Sequence, residues 1–289
     1  MGSDAVRCVL ASWGVRRGVQ LIRPFDHGVG GTSLVEIDGS LRVLKAWQLG
    51  SAAEEDHLDD ALELAERMRS RGVPVPALIE RGRSGGHGYL VYEFLDGEWS
   101  DELGLEAVTD LVSVIAVARG AALSPNAAWA AELETMLSQG DPSFDMAPAA
   151  LAASTPARAV LTEARRRLAA CDQARLPRSD IVHGDFAPEN LLLRDGRVVG
   201  VVDWERARVG DAGLDLVGAI FDIEIGKKAS PSLRRALWRT ARDVLPAEAL
   251  ALYVGVYAVR YLSWAIGTDL EEEVLALAQR MLRLSDMIR

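Results

Sequence analysis

Residues 181 to 205 read IVHGDFAPENLLLRDGRVVGVVDWE, and this stretch constrains the fold more than any other. The apolar run Leu191 to Leu193 meets Asp195-Gly196, a two-residue hairpin signal, and a Val-rich run follows from Val198 to Val202. A hairpin closing at Asp195-Gly196 brings Asn190, before the first strand, and Asp203, after the second, to the same open end. An amide oxygen and a carboxylate then face one small volume, an arrangement suited to a hard, oxygen-preferring ion such as Mg2+. The plainer alternative is a surface hairpin whose polar flanks only cap turns.

Spacing favours the first reading. His183-Gly184-Asp185 is followed five residues later by Asn190, the separation of Asp and Asn in the kinase catalytic-loop pattern H-R-D-x-x-x-x-N. There the Asp accepts the acceptor hydroxyl's proton and the Asn holds magnesium. The pattern predicts Asp185 as catalytic residue and Asn190 with Asp203 as metal ligands.

HGDFAPEN followed by VVDWE resembles the aminoglycoside phosphotransferase family, also called the phosphotransferase enzyme family, whose pattern is HGDxxxxN and then a strand ending in D-x-E. The resemblance implies a protein-kinase-like fold and the same roles for Asp185, Asn190 and Asp203. Trp204-Glu205 stands where protein kinases have Phe-Gly, which argues against a protein substrate. Gly210-Asp211 and Asp215-Leu216 match the family's continuation, in which Asp215 braces the catalytic loop.

The N-terminal third supplies a nucleotide site. Val19 to Pro24, Ser33 to Ile37 and Leu41 to Trp47 read as strands of an antiparallel sheet. Between the first two, the turn GVGGTS offers Gly30 and Gly31 for close approach of backbone to phosphate, with Thr32 and Ser33 as hydroxyl donors. Lys45 on the next strand is the expected partner of the nucleotide's α- and β-phosphates, as in the kinase V-A-I-K strand. The helix from Ala52 to Ser70 is expected to supply an acid to pair with Lys45. Glu54, Glu55, Asp59, Asp60, Glu63 and Glu66 all compete, and Glu63 is chosen. YLVYEFL, Tyr89 to Leu95, reads as the last strand of this lobe and resembles the family's hinge. The resemblance maps the purine contacts to the Glu93 carbonyl and the Leu95 amide and puts Tyr92 at the back of the pocket. A bulky Tyr there would favour guanine, so GTP stands beside ATP as donor, although a core aromatic is the plainer account of Tyr92.

Composition fits such an enzyme. A chain of 289 residues, 49% hydrophobic, is long enough for two lobes around a cleft. The net charge of -10, with Lys and Arg scattered, disfavours a nucleic-acid partner and is compatible with a cationic small substrate. No apolar run reaches membrane-spanning length and the first residues lack a signal peptide's apolar core, so a cytoplasmic protein without a membrane partner is expected, as monomer or homodimer. Cys8 and Cys171 have no metal-ligand spacing and read as two reduced thiols.

From residue 101 onward helical periodicity runs over Leu103 to Ala122, Ala127 to Gln139 and Ala149 to Cys171, with a loop at Gly140 to Pro148. The expected fold is α+β and bilobal: residues 1–96 form a nucleotide lobe of antiparallel sheet plus one helix, and 97–289 a larger, mainly helical lobe carrying the catalytic hairpin. For the acceptor, Glu205 and Asp222 follow the metal strand closely, and Tyr261 joins them, though Tyr257, Tyr261 and Trp264 at i, i+4 and i+7 more simply describe a packed helix face. The resemblance implies transfer from ATP or GTP to a free hydroxyl of a small molecule, an antibiotic of aminoglycoside, tuberactinomycin or nucleoside type. The alternatives are a metabolic kinase for a sugar, choline or amino-alcohol, and a catalytically silent nucleotide binder.

Overall fold

The computed structural model describes residues 2–13, 18–25, 31–50, 52–100 and 102–286. It opens with a helix, α1 (Gly2–Trp13), which strand-first reading of the N-terminus passes over. Strands β1 (Val19–Pro24), β2 (Thr32–Ile37) and β3 (Ser40–Gln48) follow, then helix α2 (Ala52–Ser70), then β4 (Leu78–Ser84) and β5 (His87–Glu93). The five strands form one antiparallel sheet in the order β1-β2-β3-β5-β4. β4 is a strand that periodicity does not reveal, because IERGRS alternates without apolar weight. The last strand ends two residues earlier than expected, leaving Phe94 and Leu95 in the connection.

Strand alternation gives the sheet two working faces. Leu44 and Ala46 of β3, with Val35, Tyr89 and Val91, pack against Ala5, Val6, Val9 and Trp13 of α1. Val43 and Lys45 turn to the opposite face, toward the C-terminal lobe. The spacing of Val6, Val9 and Trp13 was the legible signal for α1.

The second lobe begins with α3 (Leu105–Ala118) and α4 (Trp129–Ser138). The helix expected over Ala149 to Cys171 is two, a short α5 (Pro148–Leu151) and α6 (Thr155–Ala170). Ser154, extended, stands at the N-cap position of the second without a side-chain cap hydrogen bond, and Pro156 lies in its first turn, where the missing N–H costs no intrahelical bond, whereas a helix continuing through it from α5 would lose one. β6 (Asp180–Val182) pairs with β9 (Arg208–Gly210), and β7 (Leu191–Arg194) with β8 (Arg197–Val201). The β7–β8 turn is Asp195-Gly196 with φ 52° and 75°, the doubly left-handed turn that matches strand twist. Helices α7 (Gly213–Gly226), α8 (Pro231–Val244), α9 (Ala247–Ala265) and α10 (Glu271–Asp286) complete the chain.

α9 is the core of this lobe, buried from Ala249 through Arg260 on every face. A buried arginine ties its neighbours to it. Arg167 on α6 donates to Glu163 Oε1 at 2.7 Å, to the Ala251 carbonyl of α9 at 3.1 Å, and to Ser285 Oγ and Asp286 Oδ1 of α10 at 2.6 and 2.8 Å. Truncating Arg167 would leave a cavity and remove the donor shared by the Ala251 and Leu282 carbonyls, while Glu163 and Asp286, 28% and 47% exposed, would turn to water. Arg167→Ala is expected to lower stability by about 1–3 kcal/mol, read as the shift of the denaturant midpoint at unchanged slope.

α2 sits between the lobes. Its inward stripe, Ala61, Ala65 and Met68, belongs to the core of the C-terminal lobe rather than to the α1–sheet cluster. The hinge closes on the hairpin as well: Glu98 and Leu193 exchange backbone hydrogen bonds of 2.8 Å in both directions. Among the described residues no helix is long and apolar enough to cross a membrane.

Candidate active site

The cleft between sheet and helical lobe holds a cavity of about 440 Å³. Lys45 from β3, Asp185 and Asn190 from the loop between β6 and β7, and Asp203 at the end of β8 all line it, with Thr32, Tyr92, Glu93, Leu95 and Glu205. Residues 158 positions apart thus meet, Lys45 Nζ lying 3.1 Å from Asp203 Oδ1.

The loop carrying Asp185 is fixed from beneath. Asp215, buried on α7, accepts the backbone N–H of His183 at 2.6 Å and of Gly184 at 3.0 Å. Burial pushes its carboxyl up to about 7, against the two amides that favour the charged form. His183 is buried and its pKa lowered by that burial, so the ring is neutral. Its hydrogen-bond pattern assigns the tautomer: Nε2–H donates to the Val202 carbonyl at 2.9 Å while Nδ1 accepts from the Asp185 N–H at 3.2 Å. Trp204 packs on that ring at 4.5 Å. Gly184 adopts φ +82°, and a Cβ there would meet the Arg206 carbonyl oxygen at 2.6 Å. Gly184→Ala is therefore expected to cost about 1–3 kcal/mol and to displace Asp185, detectable as a lowered melting temperature together with lowered turnover.

Asn190 is held by its own amide, Nδ2 donating to the Asp185 carbonyl at 2.7 Å, which leaves Oδ1 as its acceptor. Asp203 is left-handed, φ 65° and ψ 50°, a conformation that Asp and Asn tolerate better than other branched or bulky residues. That reversal, coming straight after β8, aims the chain into the turn Trp204–Arg206 and sets Glu205 beside Asp203. Lys45 lies between the two acids, 3.0 Å from Glu205 Oε2. Burial pulls its pKa down, but Glu205 and Asp203 outweigh that and hold the ammonium above the ordinary lysine value.

Among the described residues the acids that pair with Lys45 are Asp203 and Glu205, and none is on α2. Glu63 lines a separate hollow with His57 and Glu132, because the stripe of α2 that meets the cleft is alanine. Two other expectations change for reasons of strand geometry. Ser33 shares the face of Val35, toward α1, and is buried away from the cleft; Gly31 lies outside the cavity lining, its carbonyl taken by the Ala46 N–H at 2.8 Å. Gly30 falls outside the described residues. Tyr92 lines the cavity rather than the hydrophobic core, its hydroxyl 3.4 Å from Glu205 Oε1. Asp222 and Tyr261 are turned to each other, the tyrosine hydroxyl donating to the carboxylate, and neither lines the cavity. Both stand on core helices, where Tyr261 stacks on Phe221 at 5.5 Å. Trp264 on the same helix is exposed.

Three lining residues, Phe25, Trp99 and Arg206, carried no sequence signal. Phe25 and Trp99 meet edge to face at 5.6 Å across the cleft mouth. Arg206 reaches Asp145 Oδ2 at 2.6 Å. Arg260, on α9, reaches Asp185 Oδ1 at 2.6 Å. Burial raises the Asp185 carboxyl, but the Arg260 and Arg206 guanidiniums outweigh it and bring it below the usual aspartate range. The result is an ionised carboxylate facing a cavity lined on the other side by a lysine and oxygen donors, apt for taking a proton from a hydroxyl beside a bound polyphosphate.

The sequence model of a family described as the phosphotransferase enzyme family matches residues 21–252. The chain is 30% identical over 179 residues to an aminoglycoside 3'-phosphotransferase of Streptomyces fradiae, covering 55% of this chain and 62% of that protein. It is 43% identical over 68 residues to a viomycin phosphotransferase of Streptomyces vinaceus, covering 22% of this chain and 24% of that protein. The chain therefore spans less than two thirds of the length of either relative. Among solved structures, aminoglycoside phosphotransferase APH(4)-Ia superposes with a TM-score of 0.70 at 16% identity, over 97% of this chain and 98% of that one. The shared architecture is the bilobal, protein-kinase-like fold.

Proposed function

The chain belongs to the phosphotransferase enzyme family, and on that premise we propose that it is a small-molecule kinase that moves the γ-phosphoryl group of ATP, or of GTP, to a hydroxyl of an antibiotic. The observation that carries this reading is the meeting of Lys45, Asp185, Asn190 and Asp203 on one interlobe cavity. Lys45 and Thr32 face the nucleotide phosphates, and the hinge at Glu93 and Leu95 takes the purine edge. Residues 1–96 and 97–289 act as the two lobes. The Asp185 carboxylate orients the acceptor hydroxyl and receives its proton, so catalysis is mostly positioning and charge neutralisation.

The oxygen donors fit Mg2+. Among the described residues no cluster of three His, Cys, Asp or Glu side chains could hold a metal, but magnesium commonly takes one or two protein oxygens and completes its shell with water and phosphate. The Lys45 ammonium beside Asp203 and Glu205 shows that this corner already accommodates positive charge. Asn190 and Asp203 would hold the ion, which would neutralise phosphate charge there.

Antibiotic acceptors are favoured by the two relatives, an aminoglycoside and a viomycin phosphotransferase. Dependence on ATP is the reason to place the enzyme in the cytoplasm. Expression in a susceptible bacterium tests the acceptor class: resistance to an aminoglycoside, to viomycin or to a nucleoside antibiotic is expected. Unchanged susceptibility to all three, with choline or a sugar phosphorylated instead, would move the reading to a metabolic kinase.

A further inference from the structure

Arg260 is 8% exposed and ends the stretch of α9 that is buried on every face, yet its guanidinium reaches the loop that carries the candidate base. Nη2 donates to Asp185 Oδ1 at 2.6 Å and Nη1 to the Gly184 carbonyl at 3.0 Å. One planar group therefore grips a main-chain oxygen and a side-chain oxygen of adjacent residues. The guanidinium is itself fixed, lying over the Phe144 ring at 4.3 Å and near the Tyr257 ring at 5.5 Å, with Asp145 Oδ2 at 3.6 Å.

We propose that Arg260 is the positioning residue of the phosphoryl-transfer centre, locking the Asp185 carboxylate so that Oδ1 is engaged and Oδ2 is presented to the acceptor hydroxyl. The torsion that turns an aspartate carboxylate is broad and nearly two-fold, so an unheld Asp185 would exchange its two oxygens. With Arg260 in place, Oδ1 is committed and Oδ2 keeps one long contact among the described residues, 3.5 Å from Asn190 Nδ2. A fork of donors is needed, because one ammonium cannot reproduce two bonds in fixed relative geometry. Positioning of this kind is expensive to lose, since a displacement of ~1 Å at a reacting group costs about 10²-fold in rate.

The inference rests on the phosphoryl-transfer reading and is tested with the full chain and MgATP, water serving as the acceptor. Arg260→Lys keeps the charge and loses the fork; Arg260→Met keeps length and loses both. Turnover is expected to fall roughly tenfold or more in Arg260→Lys and about 10²-fold or more in Arg260→Met, with KM for ATP within about threefold of wild type. Two groups that act as a unit are not additive, so Asp185→Asn/Arg260→Met should be no slower than Asp185→Asn alone. Arg260→Lys turning over like wild type, a double variant showing the full product of both losses, or a loss that lies wholly in KM would overturn the positioning role while leaving the kinase reading intact. Should Arg260→Met fail to fold, the Arg260→Lys result decides. A wild-type chain that binds ATP but transfers phosphate neither to water nor to any antibiotic, nucleoside or choline acceptor, or an Asp185→Asn variant as active as wild type, would overturn the reading itself and the inference with it.

Discussion

Asp185→Asn lowers kcat by roughly 10²- to 10⁴-fold while nucleotide affinity stays within about threefold. The carboxylate is ionised and gripped by Arg260, and its other oxygen faces the cavity. Asn keeps the shape and an oxygen for the guanidinium but cannot accept the hydroxyl's proton. Nucleotide affinity is spared because Lys45, the hinge and Asp203 do not depend on this side chain: Lys45 is paired with Asp203 and Glu205 instead. Steady-state kinetics and equilibrium binding of a fluorescent nucleotide separate the two quantities. A matching loss of affinity would mean that Asp185 holds the nucleotide rather than serves the transfer.

Asp203→Asn acts on a different term. The left-handed backbone at Asp203 accepts asparagine, so the fold persists while one negative oxygen is lost. Half-maximal activity is expected to require at least about tenfold more Mg2+, with kcat lowered even at saturation because Lys45 then leans on Glu205 alone. The Asp185→Asn variant should show no such displacement of the magnesium response. Identical magnesium curves for the two variants and the wild type would remove Asp203 from the metal site.

The distinction between these variants was already legible in residues 181 to 205, because the chemistry there is local. Loop, hairpin and turn lie within one short stretch, and a two-residue left-handed turn fixes which ends meet. The first three strands and α2 were legible for the same reason, each carrying its own period. What remained hidden depends on partners far along the chain. Lys45 needed an acid, and a helical neighbour seemed the natural source, but Glu205 lies 160 positions later and only folding brings it there. Arg260 is the same case: on paper it is one arginine between two apolar stretches of a helix, with nothing to show that its tip reaches Asp185. Asp222 errs in the other direction, since closeness in sequence to β8 did not outweigh its place on a packed helix, and Tyr261 follows the plainer reading of its helix face as packing. β4 and the break between α5 and α6 escaped because an irregular polar strand and a proline turn do not disturb hydrophobic periodicity enough to be seen.

The cleft is proposed to transfer a phosphoryl group to a small molecule, with Asp185 serving that transfer. Wild type and Asp185→Asn, each incubated with γ-labelled ATP, Mg2+ and a panel of aminoglycosides, viomycin, nucleosides and choline, test it side by side. Label is expected to move onto at least one acceptor with the wild type and to fall at least about 10²-fold in the variant. Equal labelling by both proteins, or label recovered from neither with any acceptor while ATP is bound, would contradict it.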